Sequence, residues 1–346
     1  MPLLHVTCLM ALLALFEGCG EDKEKNPLKT QPLDPAALEK LVMGDALYQL
    51  DESSGNLQPS ILLLRAGGGA VLLPVGTCEF EVIYTKLHLP FFRPLPHDLL
   101  KSLADHLGMS VPRIVLDISE ADSLKAHILL QGIQGDIEMP VSVGDAVAIA
   151  QRMSAEIMGT QRLIAQHDFQ ADTTAQKTAP FSAPESTDQA VSPARKALAQ
   201  DTSAVVEMRV LGMLQRAFSR DILLVLIDNA EQTAFPITIS RCQAFAIFTG
   251  LQPEAFPPTL PQDLMQSMLS RSGARLTHVA MTRVEDRTFI GEIDLAQGDS
   301  SLAIDARPSD AIALAVRVKA PIHINAALLE LFGEDAAEYL AAFAEE

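Results

Sequence analysis

The feature that most constrains this chain is an internal repeat. Residues 95–100 (LPHDLL) return as residues 260–265 (LPQDLM), and residues 144–150 (GDAVAIA) return as residues 309–315 (SDAIALA). Both pairs have the same spacing of 165 residues, and almost fifty residues separate the two segments within each copy. A shared order and spacing of this kind predicts two diverged copies of one domain.

Two polar stretches set the domain boundaries. Residues 20–35 are polar and contain proline, and residues 166–201 are rich in Ala, Thr, Ser, Gln, Pro and Asp without apolar periodicity. Such compositions cannot bury enough apolar surface to fold, so both are predicted to be disordered linkers. The two domains are therefore predicted at residues 36–162 and 202–346, after a targeting segment at residues 1–19.

The order of elements predicts an α+β fold in each copy. Segments rich in aliphatic and β-branched residues indicate strands, and helices come singly between groups of strands rather than in strict alternation. Pro261 and Pro308 each mark the start of a helix. Residues 67–69 (GGG) predict a hairpin turn. The helical tail at 326–343 is expected in the second copy only.

Composition excludes some classes of function. The chain of 346 residues has a net charge of −18, which argues against broad electrostatic capture of nucleic acid but leaves room for a small cationic site. No phosphate-binding loop motif is present, and no Cys/His spacing suited to structural zinc occurs. Cys78 and Cys242 occupy the same place in the two copies, so each is expected to be a small buried core residue and not part of a bridge.

The N-terminus is typical of an exported protein. Residues 3–16 form an uncharged apolar run of the length of a signal-peptide core, and Cys19 closes it after a small residue. This pattern resembles a bacterial lipoprotein processing site and predicts lipid attachment at Cys19, with the cell envelope as location and the membrane as partner. A plain signal peptide and a wrongly assigned start remain alternatives.

A longer motif carries a family resemblance. Residues 304–315 (IDARPSDAIALA), with the helix start at Pro261 upstream, resemble the bifunctional nuclease domain family over nearly all of residues 203–335. Residues 40–160 resemble it more weakly. The resemblance implies small α+β domains that cleave RNA and DNA. It also implies three motifs: a Cys-Glu-Ala helix, a Thr-His-Asp-Leu-Leu helix start and an Asp-Ser-Arg-Pro-Ser-Asp-Ala run.

Each copy keeps a different part of this pattern. The first copy has a serine, a valine and a glycine where the pattern has Arg-Pro-Ser, and it keeps Cys78, Glu79, His97 and Asp98. The second copy has Gln243 for the Glu and Gln262 for the His, and it keeps Asp305, Arg307, Pro308, Ser309 and Asp310. Either the first copy is a decayed remnant, or the copies pair within the chain and form one composite site.

The retained residues suit nuclease chemistry, which needs carboxylates for Mg²⁺ or Mn²⁺, a base for water and a cation for phosphate charge. The resemblance implies Asp305 and Asp310 as metal ligands and Arg307 as the phosphate contact. In the composite version His97 is the base. The candidate site residues are Asp263, Asp305, Arg307, Ser309 and Asp310 of the second copy and His97 and Asp98 of the first.

A purely structural interpretation competes with each assignment. Asp98, Asp145, Asp263 and Asp310 all fall in first turns of predicted helices, where a carboxylate caps backbone amides. Arg307 has aspartates close by with which to pair, and Glu79 is expected on a polar helix face. Two hypotheses therefore stand. One is a nuclease that hydrolyses phosphodiester bonds in RNA or DNA. The other is a non-catalytic, envelope-anchored protein for ligand binding or assembly, which includes assembly into a homo-oligomer.

Overall fold

A computed structural model describes residues 38–50, 56–88, 95–119, 121–132, 135–169, 204–215, 221–256, 259–285 and 288–344. These residues divide into two compact units, one built on each of two eight-stranded sheets. The predicted targeting segment, Cys19, all of the first predicted linker and residues 170–201 of the second lie outside the described residues. Within the described residues, no helix is long and apolar enough to cross a membrane.

The first repeat contains eight strands and four helices. In chain order they are β1 (Leu38–Leu50), β2 (Leu57–Arg65), β3 (Ala70–Pro74), α1 (Thr77–His88), α2 (Pro96–His106), β4 (Ser110–Ile118), β5 (Leu124–Gln131), β6 (Ile137–Val141), α3 (Val143–Met153), β7 (Glu156–Thr160), α4 (Gln161–Gln166) and β8 (Asp168–Phe169).

The second repeat contains eight strands and five helices. They are β9 (Val205–Gln215), β10 (Ile222–Asp228), β11 (Thr233–Ile239), α5 (Arg241–Leu251), α6 (Pro261–Ser272), β12 (Arg275–Glu285), β13 (Thr288–Gln297), β14 (Ser300–Ala306), α7 (Pro308–Val318), β15 (Ile322–Asn325), α8 (Ala326–Phe332), β16 (Glu334–Asp335) and α9 (Ala336–Ala344).

The two sheets have the same topology. Their strand orders are β6-β5-β4-β7-β1-β2-β3-β8 and β14-β13-β12-β15-β9-β10-β11-β16, so each strand of the second sheet is the counterpart of a strand eight places earlier. One ladder in each sheet is parallel, β4 with β7 and β12 with β15. The predicted duplication and the α+β class are therefore confirmed.

Local signals at helix ends repeat as well. Ser154 and Lys319 end α3 and α7 in the left-handed conformation, with φ of 56° and 57°. Thr160 and Asn325 cap α4 and α8 through their side chains. Because α4 is the counterpart of α8, and β8 that of β16, the expectation that the tail belongs to the second copy only is wrong for residues 326–335. A polar N-cap directly after the strand starts a helix in both copies.

In each repeat the core lies between the sheet and helices on one of its faces. Helix α7 packs on β12 and β13 beside α5, and α3 packs on β4 and β5 beside α1. In the second repeat, α9 covers part of the other face. There a Cβ added to Gly212 would lie 2.3 Å from the ring of Phe343, so the absence of a side chain at Gly212 admits the helix.

Two smaller expectations have opposite outcomes. Residues 67–69 form the predicted hairpin turn between β2 and β3, with Gly68 and Gly69 at φ of 94° and 85°, which glycine adopts without strain. The expectation for the cysteines is wrong, because Cys78 and Cys242 are both disulfide-bonded and both only partly buried. The matching positions of the two cysteines, at the starts of α1 and α5, did not predict that they form disulfide bonds.

Candidate active site

In the first repeat, polar residues from three helices form one cluster. Nε2 of His97, on α2, lies 2.9 Å from Oδ1 of Asp145, in the first turn of α3. The two side chains are 3% and 5% exposed. A carboxylate oxygen can only accept, so Nε2 donates this bond if Asp145 is ionised. Nδ1 of His97 is buried and makes no hydrogen bond within the described protein.

Ser142 and Glu79 complete this cluster. The Ser142 hydroxyl lies 2.9 Å from Oδ2 of Asp145 and also accepts a bond from the Asp145 amide, which caps α3. Glu79, in the first turn of α1, interacts with both Asp145 and Ser142. Burial, together with the charge of Asp145, raises the pKa of Glu79 from 4.5 to about 7, although hydrogen bonds from its own backbone amide and from Ser142 oppose the shift.

Asp98 plays a structural part next to this cluster. Its Oδ2 accepts a hydrogen bond from the Leu95 amide at 2.9 Å, as the capping interpretation predicts. Its Oδ1 accepts a bond from Nε of Arg152 at 2.9 Å, and the Arg152 side chain is 1% exposed. Asp98 therefore neutralises a buried guanidinium, and the structure assigns it no contact with Glu79 or His97.

In the second repeat the counterparts of the acid and the imidazole are glutamines in structural positions. Gln243 forms a reciprocal capping box with Ser240, in which Oε1 of Gln243 accepts from the Ser240 amide at 2.8 Å. Gln262 is 2% exposed, and its Oε1 makes no hydrogen bond within the described residues. Asp263 caps α6 by accepting from the Leu260 amide at 2.9 Å, as Asp98 does for α2. An amide side chain does not titrate, so neither glutamine can transfer a proton.

Arg307 and Asp310 form a pair at the start of α7. Nε of Arg307 lies 2.6 Å from Oδ2 of Asp310, and the side chains are 21% and 4% exposed. Ser309, between them in sequence, is also buried. Arg307 occupies the N-cap position, where it makes no side-chain cap, whereas its counterpart Ser142 caps α3.

Asp305 is not part of this group. It lies on β14 between buried Ile304 and Ala306, so its side chain leaves the sheet on the opposite face from theirs. There it is 57% exposed and binds Arg283 through both carboxylate oxygens, at 3.2 Å and 2.7 Å. The start of α7 lies on the buried face, since a Cβ added to Gly291 would lie 3.3 Å from Pro308.

The pair Asp305 and Asp310 does not fit the geometry of a shared divalent cation. One carboxylate faces away from the helices and binds Arg283, and the other is buried against Arg307. Across the described residues, no group of three or more His, Cys, Asp or Glu side chains is placed to hold a metal ion. No chemical step is therefore assigned to a metal at these residues.

Glu79 is a member of the polar cluster that the sequence analysis did not identify. Glu79, expected on a polar helix face, instead lies against Asp145 and Ser142. A signal was available in Gly144, since a glycine in the first turn of a helix, where the other copy has Ser309, indicates a close approach by another group. The composite site of His97 with Arg307 stays a prediction.

The arrangement can be compared with known proteins. The sequence profile of the bifunctional nuclease domain matches residues 61–172 and again residues 224–336, which together exceed half of the chain. The chain belongs to the bifunctional nuclease domain family. The match covers both repeats, including the diverged first repeat. Membership supports a nuclease-like function for the family as a whole.

Curated relatives extend this family assignment without adding a function. Two uncharacterized proteins of Mycobacterium tuberculosis, one from strain CDC 1551 and one from strain H37Rv, are each 30% identical over 128 residues. The match covers 37% of this chain and 76% of each relative. The matched length of 128 residues is about that of one repeat of this chain.

Proposed function

We propose that this chain hydrolyses phosphodiester bonds in RNA or DNA, and that Arg307 of the second repeat contacts the scissile phosphate. The observation that carries the proposal is the Arg307–Asp310 pair at the start of α7. A cation at a helix N-terminus opposes the helix dipole, so capping does not account for this arginine. A bound phosphate would be stabilised by both the N-terminus of α7 and the Arg307 guanidinium, because each attracts an anion.

The geometry of Arg307 suits this contact. Asp310 is buried and holds Nε, which leaves the two terminal nitrogens as the part of the guanidinium that can grip a phosphate. The side chain keeps 21% of its surface exposed. With a net charge of −18 the chain offers little general attraction for nucleic acid, so affinity depends on such local contacts.

A second candidate function is binding without cleavage. The observation that favours it is the pair of glutamines in the second repeat, where Gln243 serves as a helix cap and Gln262 is buried. A repeat that lacks titratable groups at these positions binds phosphate without hydrolysing it. The nuclease proposal therefore needs a proton-transfer group at a position other than these two.

The proposed location is the bacterial cell envelope, through lipid at Cys19. The disulfide-bonded state of Cys78 and Cys242 supports an oxidising compartment, since cytosolic thiols are normally kept reduced. A nuclease there would act on nucleic acid outside the cytosol. The membrane is then a partner through the lipid alone.

The test uses the full chain in detergent with end-labelled single-stranded RNA and DNA, in separate reactions with Mg²⁺, Mn²⁺ or EDTA. We expect cleavage, and we expect Arg307→Ala to lower kcat/KM by about 10-fold to 100-fold, the cost of one charge-assisted hydrogen bond. Arg275→Ala removes an exposed arginine of the same repeat and serves as the matched control. If the folded chain binds these substrates but cleaves none of them, the binding function replaces the nuclease. The EDTA arm shows whether a metal is required.

A further inference from the structure

Helices α5 and α7 of the second repeat run parallel to each other and in register. Nη1 of Arg317, near the end of α7, donates to the carbonyls of Ala246 and Ala313 at 2.6 Å and 2.8 Å. One turn later along α5, a Cβ added to Gly250 would lie 2.7 Å from Cγ2 of Val316. Contacts that advance in the same direction along both helices indicate a parallel pair. Because α5 and α7 each have 11 residues, their N-termini lie side by side.

The first repeat has the same arrangement, with acids where the two helices begin. A Cβ added to Gly144, in the first turn of α3, would lie 2.3 Å from Cβ of Glu79, in the first turn of α1. Asp145 is the acid in the first turn of α3. Each helix N-terminus is equivalent to about half a positive charge, so an anion near it is stabilised. The first repeat therefore supplies its own anions to its paired N-termini.

The second repeat is more positive at the same place. Three replacements each shift the charge in this direction: Thr77 by Arg241, Glu79 by Gln243 and Ser142 by Arg307. Asp310 is the only acid in the first turns of α5 and α7. The start of this helix pair therefore has two guanidinium groups and one carboxylate, although the chain as a whole has a net charge of −18.

Arg241, the first residue of α5, is a cation without a partner. Within the described residues its side chain forms no ion pair, and its Nε is buried without a hydrogen bond. A buried donor without an acceptor costs free energy unless water or a ligand binds it. A cation in the first turn of a helix is also opposed by the helix dipole. A bound anion would relieve both of these unfavourable features at once.

The start of the helix pair can be reached from solvent. Ser240, directly before α5, is exposed, and Arg241 and Gln243 are partly exposed. The Arg307 side chain keeps 21% of its surface exposed. All of these residues belong to the second repeat, so a site here does not depend on how the two repeats are placed.

We propose that Arg241 binds the same phosphate as Arg307, at the paired N-termini of α5 and α7, and that this site prefers a phosphomonoester to a phosphodiester. A phosphomonoester carries about 1.5 to 2 negative charges at neutral pH, and a nucleic acid diester carries about one. The larger charge matches two guanidinium groups and two helix N-termini better.

The preference has a consequence for the reaction. Hydrolysis of a phosphodiester leaves a phosphomonoester at one of the two new ends, so this site retains the terminal phosphate of the cleaved product. The inference rests on the proposed phosphate contact of Arg307, to which it adds a second binding residue and a ligand class.

The test measures binding apart from cleavage. The full chain in detergent and EDTA is titrated against an internally labelled single-stranded DNA with a 5′-phosphate, a 3′-phosphate or hydroxyls at both ends, and gel electrophoresis verifies that the DNA stays intact. We expect a phosphorylated form to bind about 10-fold or more tightly than the unphosphorylated form, the effect of one charge-assisted hydrogen bond. Inorganic phosphate should compete for the site more strongly than dimethyl phosphate, which is a diester.

Arg241→Ala is the decisive variant. It should weaken binding of the phosphorylated DNA by about 10-fold to 100-fold and change binding of the unphosphorylated DNA little. Arg275→Ala, which removes an exposed arginine of the same repeat, is the matched control and should keep the preference. A variant that fails to fold would lose both forms of DNA equally, and thermal unfolding identifies it.

Gln243→Glu gives the second repeat the acid that the first repeat has. Glutamate also completes a capping box with Ser240, so the start of α5 is kept. The new carboxylate would compete with the phosphate for the paired N-termini. We expect this variant, too, to bind the phosphorylated DNA about 10-fold less tightly.

The outcomes separate this inference from the proposed function. If folded Arg241→Ala keeps the preference of the wild type, or if the wild type has no preference for a phosphorylated end, the inference is wrong, and cleavage is judged by its own assay. If the wild type prefers phosphorylated DNA but cleaves no nucleic acid, the nuclease function fails and the phosphate site stands.

Discussion

Nε2 of His97 lies 2.9 Å from Oδ1 of Asp145, and both side chains are almost fully buried. The counterpart of this pair in the second repeat is broken, since Gln262 replaces the histidine and Asp310 binds Arg307. The same fold thus carries a histidine–carboxylate pair in one copy and an arginine–carboxylate pair in the other. The two copies therefore provide matched controls for each other.

The first prediction concerns the stability contributed by His97. His97→Ala removes a donor from a buried carboxylate and should lower the free energy of unfolding by about 3 kcal/mol. His97→Gln should cost less, because the second repeat accommodates glutamine at this place and its amide can still donate. Gln262→Ala, measured by the same urea titration, is the control and should cost less than His97→Ala. Equal losses for these two alanine variants would contradict the importance of the His97–Asp145 contact.

The second prediction follows from the pKa of Glu79, which is raised to about 7 in the folded chain. The unfolded chain releases this proton near the ordinary value of 4.5, so the folded state binds more protons between these two values. The free energy of unfolding should therefore fall as pH rises through this window. The Glu79→Gln variant has no carboxylate to titrate and does not lose stability in this way. The free energy of unfolding of the variant minus that of the wild type should therefore rise between pH 4 and pH 8 by on the order of 1–3 kcal/mol.

Urea unfolding at pH 4, 6 and 8 measures this difference. Glu156→Gln is a suitable control, because Lys40 lowers the pKa of that exposed carboxylate and no rise is expected. Parallel stability curves for wild type and Glu79→Gln would show that Glu79 titrates at its ordinary pKa.

The third prediction concerns Asp98, which was a candidate site residue. Because it neutralises Arg152, whose side chain is 1% exposed, Asp98→Asn should destabilise the chain by about 3 kcal/mol by leaving a buried charge unpaired. The pair of Lys40 and Glu156 is exposed to solvent, so Glu156→Gln at neutral pH should cost much less stability than Asp98→Asn. Thermal unfolding checks both. If Asp98→Asn loses cleavage but no stability, its role is catalytic instead.

The fourth prediction concerns the anchor. If Cys19 carries lipid, Cys19→Ala should leave the membrane fraction or stay unprocessed, because a lipid chain supplies the membrane affinity. Fractionation and immunoblotting of the wild type and the variant measure this. Unchanged partitioning would contradict the lipoprotein interpretation and favour a plain signal peptide.

The fifth prediction separates a composite site from two independent roles. If His97 and Arg307 serve one reaction, the loss of kcat/KM in the double variant His97→Gln/Arg307→Ala should be smaller than the product of the two single losses. Steady-state cleavage assays on the four proteins measure this coupling. A loss equal to the product would contradict the composite hypothesis.

Much of the fold could be predicted because its signals are local. The repeat spacing, the α+β class and the helix starts at Pro261 and Pro308 were predicted from the sequence and agree with the structure. The capping roles of Asp98 and Asp263 were also predicted, since a carboxylate in a first turn interacts with amides only a few residues away. The counterpart of α8 in the first copy was missed, because α4 has only six residues and little periodicity.

The sequence alone determined that two copies of one α+β domain are present, because periodicity, proline positions and repeat spacing are properties of neighbouring residues. Only the tertiary structure decided which polar residues meet. Asp305 and Asp310 are five positions apart, yet the alternation of side chains along β14 directs Asp305 to the other face of the sheet and to Arg283. Glu79 and Asp145 are far apart in sequence, yet the packing of α1 against α3 brings them together. A charged group takes its pKa from its burial and its neighbours, and both exist only once the chain has folded.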